Sequence, residues 1–288
     1  MNLFTQSIYS GLMSGAVYAL LAVGLVIAFR TSRVLNLAHG ETYVIGGLTT
    51  AMVADATGSL WIAVPAGLLT ATLFSVAVER VFLRPRSDWP VSSLILVTLA
   101  LAFLVRGVML VIAGIDPLSY ARLIGGPPIR FAGGAMPWQG VALIGVGLLA
   151  TVLLALFLAR TRLGRQLRAS AENPDAAQLM GIDVGATRLK AFGIAGFLGG
   201  LAAVLLVPLV PVDFQAGLGM TLRGFIAAAL AGMSAPLAIA CGFGLGLFEA
   251  FVTSYIGALA QDPIVFLILI GIALWQSRGI RFGGGARA

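Results

Sequence analysis

Apolar residues run along this chain in blocks of about twenty, and polar residues collect between them. The blocks lie at roughly 6–29, 37–54, 60–79, 92–113, 138–159 and 189–211. A longer tract, 222–258, is interrupted at AGMSAP (231–236), and a last block covers 263–277. None alternates with period two as a membrane β-barrel strand would. Backbone groups in lipid must then bond within their own segment, so each block predicts a helix. The expectation is an all-α polytopic membrane protein, one membrane domain over 1–288, with about eight to ten transmembrane segments.

Arginines punctuate the pattern. Arg30 and Arg33 follow the first block, Arg80, Arg84 and Arg86 the third, and Arg160, Arg162, Arg165 and Arg168 the fifth. Arg278, Arg281 and Arg287 end the chain. Under the positive-inside rule all four groups share one face if the N-terminus is outside and 222–258 crosses twice. The C-terminus then lies inside, and the Gly/Pro-rich loop 114–137 lies outside as an ordered, turn-rich connection.

Composition agrees with the pattern. Charged residues make up 10% of the chain, against about 25% in soluble domains. The net charge of +7 is explained by the arginines between apolar blocks, and nucleic acid is not expected as a partner. The one cysteine, Cys241, excludes an intrachain disulfide and a paired-cysteine metal site. The first apolar block has no basic residue before it, which argues against a cleavable secretory signal.

Several chemistries are missing. The sole lysine, Lys190 in TRLKAF, has no glycine before it, so no phosphate-binding loop exists. A lone histidine builds no multi-histidine metal site, and no GxSxG stretch supports a serine triad. Among the acids only Glu249 sits clearly inside an apolar run, fewer than an ion-coupled carrier usually buries. The chain therefore reads as no enzyme, with no cofactor or metal of its own.

Two polar groupings stand out. The first is RTSRVLNLAHGETYVIGG (30–47), which places Asn36, His39, Gly40 and Glu41 together between apolar blocks. One reading is architectural: Asn36 caps a helix starting near Leu37, Glu41 complements its positive end, and His39 and Gly40 permit close packing. The other is functional: the group lines or gates a translocation route, since ionisable residues at membrane depth default to function. Charge placement sets Asn36 near the inner edge. Arg106 and Glu249, each inside a block, pair with each other, bind backbone carbonyls, or line the same route.

The second grouping is the polar stretch at about 160–188. Asn173 suits an N-cap, Pro174 the first helical position, Asp175 the positive helix end, and Gly181 the residue past the last turn. A short helix with both ends marked follows, carrying Ala176, Ala177, Leu179 and Met180. Such a helix fits a groove on a partner; an ordinary capped loop helix is the alternative.

This loop resembles the cytoplasmic coupling loop of ABC importer permeases, which carries a Glu-Ala-Ala-type pattern followed by glycine. The chain as a whole resembles the LIV-type branched-chain amino acid ABC transporter permeases. The matching stretches are GAVYALLAVGLVIAF (15–29), NLAHGETYVIGG (36–47), VERVFLRP (78–85), RLGRQLRASAENPDAAQLMGI (162–182) and GLGLFEA (244–250). It departs at AGMSAP, where the family usually has a Gly-Gly-x-Gly-Ser type turn.

The resemblance implies a permease subunit of a bacterial ABC importer for small polar solutes, branched-chain amino acids foremost. Urea, short amides or other small carboxylates are alternatives, as is a self-contained ion-coupled carrier. It implies separate ATPase subunits that bind ATP and Mg, a second permease, most naturally a different chain, an extracytoplasmic solute-binding protein, and an inner-membrane location. The coupling residues by this likeness are Arg168, Glu172, Asn173, Ala176, Ala177 and Gly181. The gate or translocation candidates are Asn36, His39, Gly40, Glu41, Arg106 and Glu249.

Overall fold

A computed structural model describes residues 2–131 and 133–277. The chain is helical almost throughout, as the apolar blocks predict. The helices are α1 (Leu3–Ser32), α2 (Glu41–Thr57), α3 (Leu60–Ala77), α4 (Val91–Ala113), α5 (Trp138–Arg160), α6 (Arg162–Glu172), α7 (Pro174–Leu179), α8 (Val184–Leu206), α9 (Ala216–Leu230), α10 (Ala235–Tyr255) and α11 (Gln261–Ser277). A π-helical turn, Val78–Leu83, extends α3. Among the described residues, six helices are long and apolar enough to cross a membrane: α1, α3 with its extension, α4, α5, α8 and α10. This is a multi-pass helical membrane protein. The helices α2, α9 and α11 are shorter, and the tract 222–258 is resolved into α9, a turn and α10.

The core is built around α1, whose apolar stretch is mostly enclosed by α5, α8, α9 and α10. Glycines set its closest approach. A Cβ on Gly11 would lie 2.7 Å from the Leu247 backbone, one on Gly15 2.7 Å from that of Phe243, and one on Gly242 2.6 Å from that of Ala19. So α1 and α10 run antiparallel in near backbone contact, the arrangement small residues at four-residue spacing allow. Gly196 and Gly200 do the same for α8 against α3. Without a water-driven force between helices in lipid, such close dispersion contact supplies much of the cohesion. In contrast, α4 and α5 leave Phe103, Leu104, Val111, Leu149 and Leu153 exposed, a surface suited to lipid or another membrane chain.

The connection 114–137 has structure of its own on both sides of residue 132. It carries an antiparallel hairpin, β1 (Ile129–Phe131) and β2 (Gly134–Met136), which holds the start of α1 through Asn2 N–H to the Gly133 carbonyl at 2.8 Å. A bridge between Leu118 and Val212 ties the loop to the segment after α8. At the opposite end of the bundle the arginine groups gather. Arg33 donates to the Ala171 carbonyl, Arg84 lies against Gly185, and Arg168 donates to the Leu158 carbonyl at 2.7 Å. The fourth group, Arg278, Arg281 and Arg287, lies outside the described residues.

Candidate functional site

Between α1 and α2 the chain turns back into the bundle. No helix starts at Leu37: residues 37–40 form a turn and α2 begins at Glu41. Asn36 caps that turn, its Oδ1 accepting from Ala38 N–H at 3.0 Å. The turn's backbone is satisfied from three sides. Leu37 N–H donates to Thr98 Oγ1 of α4 at 3.1 Å, and Gly40 N–H donates to Thr221 Oγ1 of α9 at 2.7 Å. His39 Nε2 lies 3.1 Å from the Leu21 carbonyl of α1. Since a carbonyl only accepts, Nε2 carries the proton. Non-helical backbone inside a membrane domain survives only where protein satisfies it, and these bonds supply that.

The depth corrects the expectation that this group sits at the inner edge. Leu21 precedes the end of α1 by eleven residues, which is about 16 Å along a helix. The arginine pattern gave no sign that the chain after Arg33 turns back along α1. Asn36, His39 and Glu41 are each at most 4% exposed.

Glu41 opens α2, and its carboxylate faces the first turn of α9. A Cβ on Gly217 would collide with that carboxylate, and one on Gly40 would collide with the Gly217 carbonyl. Both positions are therefore restricted to glycine by packing. The charge partner of Glu41 is Arg106 of α4, with Nε 3.6 Å from Oε1. Arg106 also donates to the Gln215 carbonyl at 3.1 Å. Among the described residues, neither Glu41 oxygen nor His39 Nδ1 has a hydrogen-bond partner. The Glu41 carboxylate is therefore held chiefly by the charge of Arg106.

Arg106 and Glu249 do not pair with each other. Glu249, on α10, accepts from Arg223 Nε of α9 at 3.1 Å to each oxygen, from the Tyr18 hydroxyl at 2.6 Å and from Gln261 Nε2 at 2.8 Å. Arg223 reaches on to Asp262 at 2.7 Å. Glu249 is also not the lone buried acid: Glu41 and Glu79 are fully enclosed too. Glu79 lies in the π-helical turn, 3.0 Å from Arg188 Nε of α8. It was hidden in the sequence by its place at a block's edge. Arg223, at the very start of the tract 222–258, was likewise not singled out by the sequence. Thr98, Thr221 and Gln215 gave no signal beyond being polar.

The stretch 160–188 forms a helix-turn-helix at the arginine-rich end. Asn173 Oδ1 caps α7 by accepting from Ala176 N–H at 3.0 Å. Its far end closes on Gly181, at φ 78, with Ile182 N–H bonded to the Ala177 carbonyl at 3.0 Å. This six-to-one bond past a left-handed glycine is a Schellman stop. Arg168, Glu172, Asn173, Ala176 and Gly181 are exposed, whereas Ala177 is buried. The two small residues thus face opposite ways. Leu179 and Met180 are 89% and 82% exposed. Among the described residues no group of three metal-ligating side chains occurs.

These features were compared with known proteins. The profile of a family described as "Branched-chain amino acid transport system / permease component" matches residues 7–274. The high-affinity branched-chain amino acid transport system permease protein LivH of Salmonella typhimurium is 29% identical, over 96% of this chain and 95% of the relative. The corresponding BraD of Pseudomonas aeruginosa is 28% identical over the same shares. The autoinducer 2 import system permease protein LsrC of Salmonella paratyphi B is 25% identical, over 96% of this chain and 80% of the relative. With a match spanning nearly its whole length, the chain belongs to the family of branched-chain amino acid transport system permease components, and is a transporter subunit and not an enzyme.

Proposed function

We propose that the chain is one membrane subunit of a bacterial ABC importer, moving small polar solutes inward with branched-chain amino acids the foremost class. The observation that carries the coupling half of this reading is α7. It is capped at both ends and presents Leu179 and Met180 at the end of the bundle where the arginines collect. Two exposed apolar side chains, at the last residue of a six-residue helix and at its cap, suit insertion into a groove on a separate ATPase. Arg168, Glu172, Asn173, Ala176 and Gly181 surround that contact; Ala177 contributes by seating α7 on the bundle.

In this reading the arginine-rich end, with the C-terminus, is cytoplasmic, and the chain makes about eight to ten passes of an inner membrane. ATP and Mg are bound by the ATPase subunits. A second permease, most simply a different chain, completes the pathway, and an extracytoplasmic binding protein delivers solute. The re-entrant turn with Asn36, His39, Gly40, Glu41 and Arg106 is the gate region. Nucleotide state shifts it because the ATP-bound and free partners contact the two gate states differently. The AutoInducer-type relative supports keeping the solute class wider than amino acids, with urea, short amides and small carboxylates as alternatives.

The test is copurification from native membranes in mild detergent, followed by reconstitution of whatever assembles. An ATPase should copurify, and it should be lost when Leu179 and Met180 are both changed to aspartate. The vesicles should take up leucine only with ATP and a binding protein. Leucine uptake that persists without any ATPase overturns the reading in favour of a self-contained carrier.

A further inference from the structure

At the arginine-rich end a cavity of about 540 Å³ opens between the ends of α1 and α5, helix α6 and the start of α10. Arg30, Arg33 and Arg168 line it, with Glu172 as the one acid. Each arginine is steadied by main-chain carbonyls. Arg30 Nε donates to Met233 at 2.9 Å, Arg33 to Ala171, and Arg168 to Leu158 at 2.7 Å. A guanidinium has five N–H donors, and these bonds occupy few of them. Among the described residues none of the three forms an ion pair with an acid. Three fixed cations thus share one cavity with a surplus of positive charge.

The backbone at the cavity is fixed as well. Among the described residues, the two non-glycine residues with positive φ are Arg33 and Met233, both at 57°. Both line this cavity. Each residue closes a helix: Arg33 N–H bonds the Phe29 carbonyl at the end of α1, and Met233 N–H the Ala228 carbonyl past α9. These two stops bring Arg33 and the Met233 carbonyl that anchors Arg30 to the cavity. From these arrangements we infer that the cavity is a binding site for a phosphate-type oxyanion. Guanidiniums bind phosphate oxygens in a bidentate fashion, and both an anionic phospholipid headgroup and a soluble phosphate carry that chemistry.

The full chain, purified in neutral detergent, is titrated with phosphatidylglycerol, with phosphatidylcholine and with sodium pyrophosphate, and adducts are counted by native mass spectrometry. Retention of phosphatidylglycerol over phosphatidylcholine identifies a lipid source; pyrophosphate binding without lipid preference identifies a soluble one. In either case Arg33→Gln and Arg168→Gln each weaken binding about tenfold, the loss of one charge-assisted contact. Glu172→Gln, which leaves every anchoring bond intact, tightens it. Equal retention of both lipids with no pyrophosphate binding overturns the inference. So does an affinity unchanged in Glu172→Gln, a readout that survives even if the arginine variants misfold.

Discussion

Two carboxylates are buried side by side in chemistry but not in circumstance. Glu249 accepts hydrogen bonds from Arg223, Tyr18 and Gln261. Glu41 has Arg106 at 3.6 Å and no hydrogen bond on either oxygen. Both are at most 2% exposed. A buried charge is tolerable when neighbours replace its water; desolvation otherwise costs several kcal/mol. The saturated network joins α1, α9, α10 and α11 and reads as a fastening. The Glu41–Arg106 pair sits where a re-entrant turn, a helix start and two glycines meet, and it is the pair that the proposed function takes as the gate. Charge and burial alone do not tell the two apart; the count of satisfied oxygens does.

The contrast predicts graded effects. The largest loss of stability falls on the fastening. Glu249→Leu takes away the acceptor shared by Tyr18, Arg223 and Gln261, leaves Arg223 with Asp262 alone, and lowers stability by about 3 kcal/mol, the low end for removing one member of a buried pair. Thermal unfolding in detergent measures it. Gly217→Ala comes next, because the new Cβ meets the Glu41 carboxylate; overpacking of this kind costs about 1–3 kcal/mol and should abolish uptake. Gly145→Ala is its control, since nothing lies within 4 Å of a Cβ there, and it should leave both readouts unchanged. Smaller again is Asn173→Ala, which removes the cap of α7 at a cost of about 1 kcal/mol. Hydrogen exchange should rise in α7 alone, with weaker ATPase capture.

Much of this was legible in the sequence. The blocks at 60–79, 92–113 and 138–159 fall almost on α3, α4 and α5, because apolar length is a direct consequence of the membrane's thickness. The short helix after Asn173 was legible for a local reason: its cap, proline and stop glycine lie within nine residues. The re-entrant turn was not. Its backbone is held by Leu21, Thr98 and Thr221, partners far away in sequence, so no local signal marks its depth or shifts the helix start from Leu37 to Glu41. The pairing of the buried charges was hidden for the same reason. A sequence shows that Arg106 and Glu249 are expensive to bury, while only packing decides that they meet Glu41 and Arg223 and not each other.

The smallest predicted change in stability carries the most weight for function. Glu41→Gln keeps the side-chain volume and removes a poorly solvated charge. Its partner Arg106 is 20% exposed and retains the Gln215 carbonyl, so stability should change by under about 1 kcal/mol. The decisive measurement is ATP-driven uptake by the complete reconstituted transporter carrying Glu41→Gln, with subunit assembly and melting checked on the same sample. Uptake lost in an intact, normally melting complex is the result expected of a working gate. Uptake equal to that of the unaltered transporter would contradict it and return Glu41 to the same structural role as Glu249.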